Sequence, residues 1–93
     1  MMYFVSYELK TADKDYSSLF AYLEHEVGNR NGIHVMRDSW WLSSNEELDV
    51  NIVCEEIRKR IGDKDHFFLS KLPTNDINGW LPSSSWDFFR ENK

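Results

Sequence analysis

Residues 33–43 read Ile-His-Val-Met-Arg-Asp-Ser-Trp-Trp-Leu-Ser, and this stretch decides how the chain folds. The runs 33–37 and 39–43 are short and rich in β-branched and aromatic residues, and a tight break at Asp38 separates them. Two such runs around a turn predict a pair of antiparallel strands. Because one further strand candidate lies on each side of the pair, these are the second and third strands of the predicted fold.

A helical pattern flanks the strand pair on each side. Upstream, Asp13 or Asp15 precedes an apolar stripe and can cap a helix that Gly28 ends. Downstream, Ser44 and Glu47 have the spacing of a capping box ahead of a second stripe. The stripes are Tyr16, Leu19, Phe20, Leu23 and Val27, and then Val50, Val53, Cys54, Ile57 and Ile61. Their spacing of three and four residues predicts two amphipathic helices.

The outermost β-rich runs, residues 2–9 and 66–72, complete the order βαββαβ. Right-handed crossovers turn this order into an α+β, ferredoxin-like sandwich in which the first and third strands are central. Both helices cover one sheet face and the other face is left open. We predict a single domain over residues 1–93, with a core over 1–73 and an aromatic C-terminal segment over 74–93.

Composition limits the function classes. The 93 residues include 16 acidic and 11 basic ones, for a formal net charge of -5, so no general basic coat is present for a phosphate backbone. The single cysteine, Cys54, excludes an internal disulfide framework. No apolar run is long enough to span a membrane, and a glycine-rich phosphate loop is missing. We expect a soluble, cytoplasmic protein without an organic cofactor and without membrane contact.

Aromatic residues make up 15% of the chain, more surface than one small sheet face is expected to bury. We therefore predict a homodimer that forms through the open sheet face and the C-terminal segment. The predicted interface residues are Trp40, Trp41, Phe67, Phe68, Trp80 and Trp86.

Acidic residues collect at one end of the predicted sheet. Glu8 closes the first strand, Asp38 and Ser39 open the third, and Asp65 with His66 opens the fourth. Because the first strand runs opposite to the other two, these side chains are expected near one rim. Oxygen ligands of this kind suit Mg²⁺ or Mn²⁺. The alternative is that acids at strand ends only solvate turns and cap helices.

Short motifs occur in order along nearly the whole chain. They are Tyr-Phe-Val-Ser-Tyr-Glu-Leu at residues 3–9 with Lys-Asp-Tyr at 14–16, Asp-Ser-Trp-Trp-Leu at 38–42, Asp-Lys-Asp at 63–65, and Gly-Trp-Leu-Pro at 79–82 with Trp86. In this order they resemble the SinR-like branch of the CRISPR-associated protein two superfamily, which includes spacer-adaptation endonuclease subunits and VapD-like relatives.

The resemblance implies a ferredoxin-like homodimer with metal-dependent phosphodiesterase chemistry. In nuclease members, an Asp at the end of the first strand of each protomer binds Mg²⁺, and Glu8 occupies that position here. Ser39 matches the serine of the third strand. On this basis Glu8 and Ser39 are the predicted catalytic residues, and Glu8, Asp38 and Asp65 the predicted ligands of Mg²⁺ or Mn²⁺.

Two functions from different classes follow from these observations. One is a metal-dependent endonuclease, with RNA a better candidate substrate than duplex DNA in an acidic chain. The other is a non-catalytic dimeric module that binds a protein in defence, toxin–antitoxin or phage counter-defence biology. The clustered acids favour the nuclease, whereas Glu8 in place of Asp and the acidic balance favour the binding module.

Overall fold

The computed structural model describes residues 1–27 and 32–93 as a small α+β domain. The strands are β1 (Met2–Glu8), β2 (Gly32–Met36), β3 (Ser39–Ser43) and β4 (His66–Leu72). Helix α1 begins as α-helix over Ser17–Ala21 and continues as π-helix over Tyr22–Glu26, α2 spans Val50–Arg58 and α3 spans Ser83–Asn92. The predicted helix end at Gly28 lies outside the described residues.

All four strands pair antiparallel in the order β2-β3-β1-β4. The prediction that β1 and β3 are central, with β4 beside β1, is confirmed, and this order is compatible with a ferredoxin-like fold. Residues of neighbouring strands therefore meet in rows across the sheet, because the register places Ser6 opposite both Ser39 and Phe68. These rows determine which side chains share a face.

The first sheet face is covered by α1 and α2. Its core consists of alternate residues of β1 and β3 packed on the apolar stripes of the two helices: Tyr3, Val5, Tyr7, Trp40, Leu42, Leu19, Tyr22, Leu23, Val27, Val53 and Ile57. This is the two-layer packing that the period-2 and period-3.6 patterns predict.

The second sheet face is only partly open, which corrects the prediction that no helix covers it. Helix α3 lies across one end and packs Phe89 and Trp86 on Trp41, with ring centroids 5.5 and 5.6 Å from that of Trp41. Met2 and Val35 belong to the same buried cluster. The third helix therefore gives the sheet a second, smaller core.

The start of α1 agrees with the sequence pattern, whereas the start of α2 differs from it. Asp15 accepts a hydrogen bond from the Ser17 amide ahead of α1. Helix α2 starts at Val50, capped by Asp49, whose carboxylate accepts from the Asn51 amide at 2.9 Å. Ser44 instead accepts from the Glu46 amide in the preceding loop, so the predicted Ser44–Glu47 capping box is wrong. None of the helices within residues 1–27 and 32–93 has the length and apolar composition of a membrane span.

Candidate functional site

Glu8 ends β1 on the second sheet face, opposite His66 of β4. Its carboxylate lies 2.9 Å from the ammonium of Lys10, and both side chains are more than half exposed. Glu8, His66 and Phe68 line a shallow depression of about 390 Å³. Exposed ion pairs contribute little stability, so the Glu8 carboxylate remains accessible to a ligand at little cost.

Asp65 is buried, and its carboxylate is fully engaged in hydrogen bonds within the chain. One carboxylate oxygen accepts from the amides of Lys10 and Thr11 at 2.6 and 3.0 Å, and the other accepts from the Tyr16 hydroxyl and the Gly62 amide, both at 2.7 Å. Burial alone would raise the pKa of Asp65, but the four hydrogen bonds outweigh it and hold that pKa well below its ordinary value. This carboxylate joins the β1–α1 loop to the turn before β4.

Asp38 is exposed in the turn between β2 and β3, and its carbonyl oxygen accepts from the Tyr7 amide at 3.0 Å. Tyr7 points to the helix-covered face, where burial chiefly raises the pKa of its hydroxyl and the negative charge of Asp38 raises it further. The charge of Asp38 thus acts on a hydroxyl of the helix-covered face, whereas Glu8 lies on the second face.

The three predicted metal ligands thus share one end of the sheet but not one site, which corrects the expectation of a common cluster. Glu8 lies on the second face, Asp38 beside Tyr7, and Asp65 beneath the β1–α1 loop. Within residues 1–27 and 32–93, no group of three His, Cys, Asp or Glu side chains is arranged to hold a metal ion. Of the predicted ligands, only Glu8 offers an accessible carboxylate on the second face.

Ser39, the predicted catalytic serine, is buried in the middle of a row that crosses the second face. The row runs Phe68, Ser6, Ser39, Met36 from β4 to β2. The Ser39 hydroxyl donates to the Ser6 hydroxyl at 3.5 Å. The small side chains of Ser6 and Ser39 lie between the large exposed side chains of Phe68 and Met36. The sheet surface is therefore depressed in the middle of the row and raised at both ends.

Two of the predicted interface residues lie on the opposite side of the sheet. Trp40 is 4% exposed, and its indole N–H donates to the Tyr7 hydroxyl at 3.0 Å within the helix-covered core. Phe67 packs against that same core. The prediction that these two residues line the open face is therefore corrected, because alternation along β3 and β4 turns them towards α1 and α2.

Trp41 and Trp86 do lie on the second face, but they pack against each other inside the chain. Trp41 is buried beneath α3, and Trp86 contacts both Trp41 and Phe89 edge-on. The aromatic surface of these two residues was part of the reason for predicting a homodimer. Packing of α3 on the sheet covers much of that surface within the chain.

Phe68 and Trp80 remain exposed, as an interface on the second face requires. Phe68 is 66% and Trp80 is 100% exposed. Trp80 stands at the edge of a groove of about 490 Å³ whose other lining residues include Phe4, Trp41 and Met36. We call this groove, together with the row from Phe68 to Met36, the second-face surface.

Met36, which sequence reasoning missed, is 51% exposed and belongs to this surface. A β-bulge between His34 and Met36 shifts the register of β2 and places Met36 opposite Ser39. Strict alternation from Trp41 and Ile33 does not reveal the bulge, so no sequence signal identified this residue.

Sequence reasoning also missed that His34 belongs to a group of packed rings with Trp40 and Phe20. Its ring stacks on that of Trp40, with centroids 4.6 Å apart, and Nε2 lies 2.8 Å from the carbonyl oxygen of Arg37. No sequence signal identified this contact either, because His34 lies opposite Trp40 only through the β-bulge between His34 and Met36.

Comparison with known proteins gives no match: no family model matches the chain, and no curated protein or solved structure is significantly similar to it. The resemblance to the CRISPR-associated protein two superfamily therefore stays a prediction.

Proposed function

We propose that the chain is a ferredoxin-like binding module that pairs with a second copy through the second-face surface. The observation that carries this proposal is the exposure of three large apolar side chains, Phe68, Met36 and Trp80, on the same side of the sheet. Single exposed apolar residues are common, but three on one sheet face, two of which line a groove, are typical of an interaction surface.

The available area supports a pair of chains. Aromatic side chains bury about 150–250 Å² each, so the exposed parts of Phe68, Trp80 and Met36 offer roughly 450 Å² per copy and about 900 Å² per dimer. Specific interfaces begin near 1,000 Å², and the walls of the groove add to the sum. A dimer on this surface is therefore of the size of a reversible, specific complex.

The shape of the surface is self-complementary. Trp80 projects fully into solvent, and the groove beside it has a volume of about 490 Å³, large enough to receive an indole ring. In a two-fold symmetric dimer the same patch serves both copies, so each Trp80 can enter the groove of the other chain. The dimer is then the unit that meets a protein partner.

Light scattering at several concentrations tests the proposal. The wild-type chain is expected to dimerise at micromolar concentration, and Trp80→Ser and Phe68→Ser are each expected to shift it to monomer. Ile52→Ser is the matched control, because Ile52 is an exposed apolar residue (59%) of α2, which packs on the other sheet face. Far-UV circular dichroism checks that each variant is folded.

Two results would overturn the proposal. One is a wild-type chain that remains monomeric at the highest soluble concentration. The other is a dimer that Ile52→Ser disrupts while folded Trp80→Ser and Phe68→Ser leave it intact, which would place the interface on the helical side.

A metal-dependent endonuclease is the second candidate, favoured by the position of Glu8. This carboxylate borders the same depression as Phe68, so pairing through the second-face surface brings Glu8 of both copies to one interface. Among the described residues that line this depression, Glu8 is the one that carries a carboxylate. A Mg²⁺ or Mn²⁺ ion at this place would thus need Glu8 from both protomers.

Cleavage assays with RNA, single-stranded DNA and duplex DNA in Mg²⁺ or Mn²⁺ test this candidate. Glu8→Gln is expected to abolish metal-dependent cleavage. Glu47→Gln is the matched control, since Glu47 is likewise exposed and paired with a lysine, Lys71, at 3.2 Å. Cleavage that survives Glu8→Gln, or no cleavage by the wild-type dimer, excludes the nuclease and leaves the binding module.

A further inference from the structure

The segment between β4 and α3 contains an asparagine followed by glycine, Asn78–Gly79, at its exposed centre. The Gly79 amide N–H donates to the side-chain Oδ1 of Asn78 at 2.8 Å. Since Oδ1 is bonded to Cγ at about 1.2 Å, the Gly79 nitrogen lies no more than about 4 Å from Cγ. The backbone nitrogen and the side-chain amide carbon are therefore held close to the separation from which they react.

Gly79 has no packing reason to be glycine. A Cβ at Gly32 would meet the Leu23 carbonyl oxygen at 2.1 Å, and a Cβ at Gly62 would meet Thr11 Oγ1 at 2.2 Å. A Cβ at Gly79 would meet only Trp86, at 4.0 Å, and no left-handed φ demands glycine there. What the missing side chain does provide is unhindered access of the Gly79 nitrogen to its neighbour.

We propose that Asn78 is a site of spontaneous self-modification, in which its amide is converted to a carboxylate. The Gly79 nitrogen loses its proton and attacks Cγ of Asn78, forming a C–N bond while the bond from Cγ to Nδ2 breaks. Nδ2 leaves as ammonia. Water then opens the cyclic imide at either carbonyl, giving aspartate or isoaspartate. The balance is one water taken up and one ammonia released, with no oxidant, reductant or cofactor.

The modification changes the charge of the second-face surface. Asn78, Asp76 and Trp80 all line the groove, so conversion places a second carboxylate beside Asp76 at its edge. The formal net charge of -5 becomes more negative by one. In the isoaspartate product the backbone also runs through the side-chain carbon, which moves Trp80 relative to the groove. If the chain pairs as proposed above, aged protein dimerises more weakly; this consequence alone rests on the proposed function.

Timed incubation of the purified full-length chain tests the modification. Digestion and mass spectrometry follow the exchange of amide for acid at each asparagine, and enzymatic methylation of isoaspartate identifies the branched product. Asn78 is expected to convert faster than Asn75 of the same exposed segment and Asn51 of α2. Its rate should rise with pH, because the attacking nitrogen must lose a proton.

Gly79→Ala is the decisive variant, because the structure has room for the methyl group. We expect it to keep its thermal midpoint and to slow conversion of Asn78 by about tenfold or more, since the side chain obstructs the attack. Asn78→Gln is expected to show no conversion at position 78, because the longer side chain disfavours ring closure.

Two findings would overturn the site: conversion of Asn78 no faster than that of Asn75 and Asn51, or an equal rate in folded Gly79→Ala. Because conversion is read from peptides, a monomeric chain has no bearing on this outcome. Conversely, a dimer that forms equally well from fresh and aged protein would remove only the consequence for pairing.

Discussion

Asp65 joins two segments that are distant in sequence, and its replacement tests how much this connection contributes. In Asp65→Asn, an NH₂ group replaces one carboxylate oxygen. The two hydrogen-bond donors that this oxygen served then face another donor instead of an acceptor. Leaving buried donors without an acceptor lowers the free energy of unfolding by about 2 kcal/mol. Urea unfolding of the wild-type chain and of Asp65→Asn measures the loss, with the exposed Asp76→Asn as control. Equal stabilities would contradict the structural role.

The depressed pKa of Asp65 also predicts how stability depends on pH. Because the folded-state pKa lies below the unfolded value of about 3.9, the ionised carboxylate stabilises the fold above that value. This contribution is lost as the pH falls through the folded-state pKa. The wild-type chain should therefore lose stability below about pH 4 more steeply than Asp65→Asn. Parallel pH profiles of the two proteins would show the role of Asp65 to be wrong.

Gly62 lies against Thr11 in the same connection. A Cβ at position 62 would come within 2.2 Å of Thr11 Oγ1 and 2.7 Å of Thr11 Cβ, so the β1–α1 loop must move to admit it. We expect Gly62→Ala to lower the free energy of unfolding by about 1–3 kcal/mol, as overpacking does. Gly79→Ala, where the same methyl group has room, is the control. A stability loss of equal size in both variants would contradict this reason.

Asp65 also shows the limit of prediction from sequence at this scale. In the sequence, Asp65 is one of several acidic residues at strand ends, and this position predicted that it binds a metal ion. Three of its hydrogen-bond partners lie 49 to 55 residues away in the chain. Nothing in the spacing of residues 63–65 indicates those partners, so the difference between a ligand and a structural carboxylate became visible only in three dimensions.

The elements themselves were largely predictable, because each depends on a local pattern. β3 and β4 have the bounds that their β-rich runs predict, and the two apolar stripes do form helices. The π-helical geometry of Tyr22–Glu26 was not predictable. Its last hydrogen bond joins the Val27 amide to the Tyr22 carbonyl, five residues back, yet the stripe shows ordinary helical spacing. The side of the sheet on which α3 packs also depends on the whole fold.

Docking of α3 on the second face is testable through Phe89, which is buried against Trp41. Phe89→Ala is expected to lower the free energy of unfolding by about 3 kcal/mol, because it leaves a cavity between helix and sheet. The tryptophan fluorescence should also shift to longer wavelength as Trp41 gains contact with water. Ile52→Ala, which removes an exposed side chain of α2 far from this packing, should change the free energy of unfolding by no more than about 0.5 kcal/mol. An unchanged Phe89→Ala would contradict this packing.

At the scale of the whole molecule, strand order followed from sequence because right-handed crossovers leave few arrangements of βαββαβ. The extent to which the second face is exposed could not be predicted from the sequence. An aromatic content of 15% indicated a partner, but α3 satisfies Trp41 and Trp86 within the chain. Sequence composition counts aromatic surface without distinguishing internal from external contacts. Among the described residues, the large apolar side chains that stay exposed on the second face are Phe68, Met36 and Trp80.

Net charge and this small apolar surface together predict how salt affects pairing. Each copy carries a formal charge of -5, so two copies repel at neutral pH, while the three large side chains proposed to make the contact, Phe68, Met36 and Trp80, are uncharged. Salt screens the repulsion over a distance of about 10 Å at 0.1 M and leaves apolar contact intact. Sedimentation equilibrium of the wild-type chain should therefore show a dimer that tightens several-fold from low to high salt, whereas Trp80→Ser stays monomeric at both. A dimer that weakens as salt is added would instead depend on ion pairs, and the second-face surface would not be its interface.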